Sequence, residues 1–312
     1  MPDSPMSASA YDVLGVQASA TEVELKKAFR RALRETHPDT GGDPTKFAAV
    51  QDAWDRVGTP EKRRRYDAGS RTNTHSTTAG SSPFSSRPST AAREDSRPRA
   101  RTHGHPGGWR RERFLDSMRE WVGRGVTLDD PYDPALVRSA PREIRRTLAD
   151  ALAEEATART VSNLGIGYTI WHDVSTGPPE RKLDHIVLGP TGLFAMLSED
   201  FGGEVKVRRG ELIGPAVAPE KPMHELAARA KSISRQLKVN FTCFVIVVPD
   251  DALAQPQISL GTVKGQPAVV VRQSVLAHLL RTGPELGRGR DIGGNELFDV
   301  RTRLTSGIRF VE

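Results

Sequence analysis

Apolar residues near the start of the chain recur at helical spacing. Leu25, Ala28, Phe29, Ala32 and Leu33 share one face, and Lys26, Lys27, Arg30, Arg31 and Arg34 interleave on the other. A second stripe follows in Phe47, Val50, Trp54 and Val57. Ser19-Ala20-Thr21-Glu22 reads as a capping box opening the first helix, while Asp43 caps the second and Pro44 starts it. Two antiparallel helices joined by a short loop bury these stripes against each other. Tyr11, Val13 and Leu14 predict a short preceding helix. Thr59-Pro60 opens a fourth, Glu61 to Tyr66, carrying Lys62, Arg63, Arg64 and Arg65. The loop between the two long helices carries His37-Pro38-Asp39 and then Thr40-Gly41-Gly42.

The pattern then lapses. From Gly69 to about Gly108, Ser, Thr, Arg, Pro and Gly dominate, and Phe84 is the one large apolar side chain. Such a segment buries too little surface to offset its chain entropy, so a disordered tether is expected over 70–108. Trp109 to Val122 is an amphipathic helix with Phe114, Met118 and Trp121 on one side. Asp130-Pro131-Tyr132-Asp133-Pro134 breaks the chain, and a longer helix runs from Pro134 or Pro141 to Asn163. Strand-like runs follow at Tyr168–His172, Leu183–Leu188 and Leu193–Leu197, with the turn Gly189-Pro190-Thr191-Gly192 between the last two. Val205–Val207 and Leu212–Ile213 suggest a hairpin, Glu225–Leu237 a helix, and Phe241–Val248 a central strand apolar on both faces. Ala268–Val271 is a strand and Ser274–Leu280 a helix, and Glu296 to Val311 carries enough apolar anchors to be ordered. The expected organisation is multidomain: a helical domain at 9–69, a linker at 70–108, a helical connector at 109–144, and an α/β domain at 145–312.

Composition adds limits. Of 312 residues, 37% are hydrophobic and 27% charged, with a net charge of +6. That excess permits an acidic protein or nucleic acid as partner without requiring either. The single cysteine, Cys243, excludes an intramolecular disulfide and a cysteine zinc site in this chain. Its apolar run is too short to span a bilayer, which predicts a buried strand thiol. His103 and His105 lack a third ligand and make a poor metal site. Met1 to Ala10 lacks a basic region followed by an apolar core, so no signal peptide is expected. The expectation is a cytoplasmic protein without membrane contact, metal or cofactor.

The segments "YDVLGV", "LKKAFRRALRETHPDTGGD", "KFAAVQDAWDRV" and "EKRRRYD" stand in the order and spacing of the J domain, and residues 9–69 resemble that module of the DnaJ cochaperones. The resemblance implies that His37, Pro38, Asp39, Lys26, Lys27, Arg30 and Arg31 contact a DnaK-type chaperone and speed its ATP hydrolysis. It implies no catalytic residue in this chain, because the chemistry belongs to the partner's nucleotide site. The physics agrees: a row of Lys and Arg steers association toward an acidic patch, and Pro38 restricts the loop.

The stretch "GYTIWHDV…KLDHIVLGPTGLFAML…GGEV" resembles the nuclease-related domain of the PD-(D/E)XK superfamily, over roughly 145–311. In that family a helix Glu, a strand Asp and a Glu-x-Lys hold magnesium and activate water. Glu154 and Asp184 match the first two. Leu197 stands where Glu is expected and Glu199 where Lys is expected. A carboxylate where a phosphate must approach raises the electrostatic barrier. The site therefore reads as degenerate and the protein as a non-enzyme. Glu199 or Asp200 as a displaced ligand, with Lys206 as a displaced cation, is the arrangement that would rescue it. The combined reading is a cochaperone whose C-terminal domain targets an unknown client protein or weakly contacts nucleic acid. The alternative is a magnesium-dependent nuclease or DNA-binding adaptor recruited through a J domain.

Overall fold

The computed structural model describes residues 5, 9–17, 19–36, 43–69, 98–123, 125–177, 181–214, 217, 221–284 and 292–311. The His37-Pro38-Asp39 loop and residues 70–97 of the expected tether lie outside them. The chain divides into two compact units. One contains the N-terminal helices together with residues 117–145, and the other contains residues 92–116 and 146–312.

The N-terminal helices are α1 (Ala10–Leu14), α2 (Glu22–Thr36), α3 (Pro44–Val57) and α4 (Pro60–Gly69). Leu14, Leu25, Val50, Ala53 and Val57 form their core, closed by Phe29 stacked on Trp54 at 4.3 Å. The box that opens α2 differs from the expected one. Thr21, not Ser19, caps the helix: its hydroxyl accepts from the Glu24 backbone N–H at 3.3 Å, and the Glu24 carboxylate accepts from Thr21 N–H at 2.8 Å. Thr21 wins because it stands three residues before a carboxylate that can reach back, as Ser19 does before Glu22, but directly at the first helical turn. Tyr11 ties α1 to α4. Its hydroxyl donates to Asp67 at 3.0 Å, accepts from Arg63 at 3.1 Å, and is pushed up to about 12 by burial.

The connector joins this unit rather than standing apart. It comprises the end of α5 (Gly108–Val122), α6 (Pro134–Ser139) and the start of α7 (Arg142–Ser162). The break expected between the last two is real: Asp133 caps α6 through Ala135 N–H at 2.7 Å, and Ala140 ends it in extended backbone. Arg145 pairs with Asp12 of α1 at 3.0 Å, and the Arg138 guanidinium lies 5.3 Å from the Tyr66 ring centroid.

The second unit is a seven-stranded mixed sheet between helical layers. Its strands are β1 (Arg101–His103), β2 (Thr169–Val174), β3 (Leu183–Gly189), β4 (Gly192–Ser198), β7 (Cys243–Val248), β8 (Gln257–Val263) and β9 (Gln266–Arg272), in the order β1-β2-β3-β4-β7-β9-β8. A separate hairpin pairs β5 (Lys206–Arg208) with β6 (Glu211–Ile213). The central pairs β4–β7 and β7–β9 are parallel, and both strands of the first pair are wholly buried, which explains their unbroken apolar runs. Met223, Leu226, Ala230 and Ile233 of α8 (Pro222–Leu237) and Leu304 of α10 (Gly294–Gly307) cover one face. Val161 at the end of α7 and Leu164 just after it, with Leu276, Leu279 and Leu280 of α9 (Leu276–Thr282), cover the other. Gly192 sits at φ 141°, and a Cβ there would meet the Thr242 hydroxyl at 2.3 Å, so the β3–β4 turn requires glycine.

Two strands escaped the sequence pattern. β1 lies inside the segment that composition assigned to the tether, so the sheet starts earlier than residue 145 and earlier than residue 109. β8 is the opposite edge. Both are edge strands: β1 is polar and largely exposed, and in β8 a bulge between Ser259 and Thr262 breaks the alternation that puts Leu260 and Val263 in the core.

Cys243 is fully buried in β7, and burial pushes its thiol up to about 12. The native protein is therefore expected to resist a thiol-specific disulfide reagent and to react at one thiol per chain once unfolded in denaturant, as read by released chromophore. Rapid labelling without denaturant would contradict the placement of β7. No helix among the described residues is long and apolar enough to cross a membrane.

Candidate functional site

Two sites collect the residues singled out by sequence, one in each unit. In the N-terminal unit, α2 turns Leu25 and Ala28 into the core and leaves Lys26, Lys27, Arg30 and Arg31 exposed on the other side. Lys26 pairs with Glu22 one turn earlier at 2.5 Å, a solvent-exposed bond worth a few tenths of a kcal/mol, on the order of 0.3–0.5. This row runs toward the end of α2 at Thr36, where the His37-Pro38-Asp39 loop begins.

In the second unit, charged groups converge in the interior. On α7, Asp150 and Glu154 stand four residues apart and share a face. β2 contributes Asp173 at φ 50°, β3 contributes Asp184, and Glu199 and Asp200 follow β4. Lys182, just before β3, is the hub. Its ammonium donates to Glu154 at 2.7 Å, Asp173 at 2.5 Å and Asp184 at 2.8 Å. Arg110 of α5 caps the group from the other side. It bonds Glu154, reaches Asp150 at 2.9 Å and Glu199 at 3.5 Å, and lies 3.9 Å from Asp184. Arg146 completes the set at 3.7 Å from Asp150 and 3.6 Å from Glu199. Backbone N–H groups fill further lone pairs: Gly107 on Glu154, Ser198 on Asp184 and Asp200 on Asp150.

Protonation follows from this packing. Burial alone raises a carboxyl, but Lys182 and Arg110 hold Asp184 well below the usual carboxylate range. Burial and the Asp184 charge push Glu154 up. Burial and the Glu199 charge push Asp150 up to about 8. Burial disfavours the Lys182 ammonium, yet Asp184 and Glu154 outweigh it and keep the group charged. Beside the cluster, His172 Nδ1 and His185 Nδ1 lie 2.7 Å apart, and His185 Nε2 is 3.1 Å from Ser198 Oγ. Burial, then Lys182, lowers His172 to about 4, and burial with His172 lowers His185, which favours neutral rings joined by a single N–H···N bond.

Of the residues that the nuclease resemblance marked, the fold brings together Glu154, Asp184 and Glu199. Leu197 instead packs in the core beneath α8. Lys206, the suggested displaced cation, is exposed on β5 and pairs with Glu204 at 3.5 Å. The cation is Lys182, two residues before Asp184, with Arg110 and Arg146 beside it. The donor set does not fit a divalent ion. The Lys182 ammonium occupies the point where three carboxylates converge, and no group of three or more His, Cys, Asp or Glu with metal-holding geometry occurs among the described residues. The Lys182-x-Asp184 alternation and the Asp150/Glu154 spacing were visible in sequence; nothing local marked Arg110 as their partner.

Comparison with known proteins bears on the N-terminal helices. The family profile of the DnaJ domain matches residues 9–67. Residues 9–67 are a J domain. The J domain is 51% identical over 57 residues to DnaJ protein homolog 2 of Allium porrum and to chaperone protein dnaJ A6 of Oryza sativa subsp. japonica, covering 18% of this chain and 14% of each relative. It is 44% identical over 59 residues to a tetratricopeptide repeat and J domain-containing co-chaperone of Mycosarcoma maydis, covering 19% of this chain and 10% of that one. The chain thus spans about a seventh or less of the length of these curated relatives. No solved structure matches the chain.

Proposed function

We propose that the protein is a J-domain cochaperone that stimulates ATP hydrolysis by a DnaK-type chaperone, acting as an adaptor and not as an enzyme. The observation that carries this reading is the exposed basic face of α2, leading into His37-Pro38-Asp39, on a J domain. Lys26, Lys27, Arg30 and Arg31 would steer the encounter and set its register, and His37, Pro38 and Asp39 would make the contacts that trigger hydrolysis. The sheet domain would choose where this happens by gripping a client. We read it as a nuclease-like fold in which Lys182 and Arg110 hold the carboxylates Glu154, Asp184 and Glu199 that a magnesium ion would otherwise need. What supports this is the meeting of those three residues at one point of the sheet. The lone thiol fits a reducing compartment such as the cytoplasm.

The charge row makes a specific prediction. The double variant Lys27→Glu/Arg30→Glu should raise the concentration of this protein needed for half-maximal stimulation of the chaperone's ATP turnover by about tenfold or more, with little change in the plateau, because steering charges act on association. The wild-type half-saturation point should rise with salt, and the variant's should rise less. An unchanged titration in the variant would refute the role given to α2.

A further inference from the structure

Along the outward face of α8, Ala228, Lys231, Ser232 and Arg235 recur at helical spacing, while Leu226, Ala227, Ala230 and Ile233 face the core. With Gln236 and with Lys264 of the β8–β9 turn, they line an open cleft of about 610 Å³. All three charged groups in it are cations, and all are exposed. None of the three has an ion-pair partner among the described residues. Some other cations of the same unit are paired: Arg229 with Glu225 at 2.8 Å, Lys221 with Glu211 at 2.8 Å, and Lys206 with Glu204 at 3.5 Å. Ala228 and Ser232 are small and leave the floor between the cations open. Lys264 and Gly265 form a two-residue turn at φ 48° and 86°, a geometry in which Asn, Asp or Gly is cheaper at the first position. The chain places a lysine there nonetheless.

We propose that this cleft binds an acidic polypeptide segment of a partner protein. From Ala228 to Gln236 the helix rises about 12 Å, the length of three or four extended residues. Arg235 offers a fork suited to one carboxylate, Lys231 and Lys264 offer point charges, and Ser232 and Gln236 add neutral donors for backbone carbonyls. A nucleic acid fits less well. None of the lining residues is aromatic, so bases have nothing to stack on, and so short a row falls far below the area of on the order of 1,000 Å² or more that a specific duplex interface buries. The inference gives the targeting role proposed above a chemical preference, and its test contains no chaperone, so the two can fail separately.

The test is fluorescence anisotropy of fluorescein-labelled octaglutamate titrated with the full-length chain, beside a labelled short DNA duplex. Arg235→Glu is compared with Lys206→Glu, which changes the net charge equally but lies outside the cleft. The expected result is octaglutamate binding weakened about tenfold or more by Arg235→Glu and less than about twofold by Lys206→Glu, with thermal transitions unchanged. No binding of octaglutamate, equal losses in the two variants, or tighter binding of the duplex lost with Arg235 would each overturn the proposal, the last in favour of nucleic acid.

Discussion

Lys182→Met is expected to destabilise the sheet domain by about 3–5 kcal/mol, a large part of a typical domain's stability. The side chains are similar in length, so the packing loss is small, and the effect is electrostatic. Lys182 is the shared partner of Glu154, Asp173 and Asp184, all of them buried. Without it, Arg110 and Arg146 are the cations left beside five inward carboxyl groups (Asp150, Glu154, Asp173, Asp184 and Glu199), of which burial already pushes Asp150, Glu154 and Glu199 up, and Asp173 loses the one cation shown bonded to it. A second substitution should then repair part of the damage. Adding Asp184→Asn to Lys182→Met removes one uncompensated charge and keeps an acceptor for Ser198 N–H, so the double variant should be more stable than the sum of the singles by about 1–3 kcal/mol. Urea titration followed by Cys243 reactivity reads this unit alone, because that thiol lies in β7. A Lys182→Met loss under about 1 kcal/mol would mean that the cluster is solvated and adaptable rather than closed.

Legibility in the sequence followed burial. The α2 and α3 stripes, the Gly189-to-Gly192 turn and the β7 run were readable because each has one face, or two, committed to a core. The edge strands β1 and β8 were not, since solvent imposes no period on β1 and a bulge interrupts that of β8. The α2 cap was displaced from Ser19 to Thr21 because two overlapping Ser/Thr-x-x-Glu strings compete and only the backbone selects between them. Within the ionic cluster, Glu154 and Asp184 were found by family spacing. Lys182 was not marked, because the family pattern places its lysine after the strand Asp and here the cation precedes Asp184. Arg110 was invisible for a different reason: it is 44 residues from its partner Glu154, and no local rule links a helix in the connector to the far end of the sheet.

His37→Gln is expected to have the largest functional effect. The side chain lies outside the described residues, so the expectation rests on the J domain and on the position of the loop at the end of α2. A polar residue at the centre of a docking contact carries a disproportionate share of its energy, about 2 kcal/mol or more when replaced. If that energy is spent on the partner's hydrolytic transition state, the stimulated rate falls by about tenfold for each 1.4 kcal/mol lost. The variant should remain folded, because the core of the J domain is built from Leu14, Leu25, Val50 and Val57 and their neighbours, none of which is in the loop.

The most direct measurement is single-turnover hydrolysis of ATP pre-bound to a DnaK-type chaperone, mixed with saturating full-length protein. Acceleration by the wild type and a rate indistinguishable from the chaperone alone with His37→Gln is the predicted result. No acceleration by the wild type, or equal acceleration by both, would contradict it.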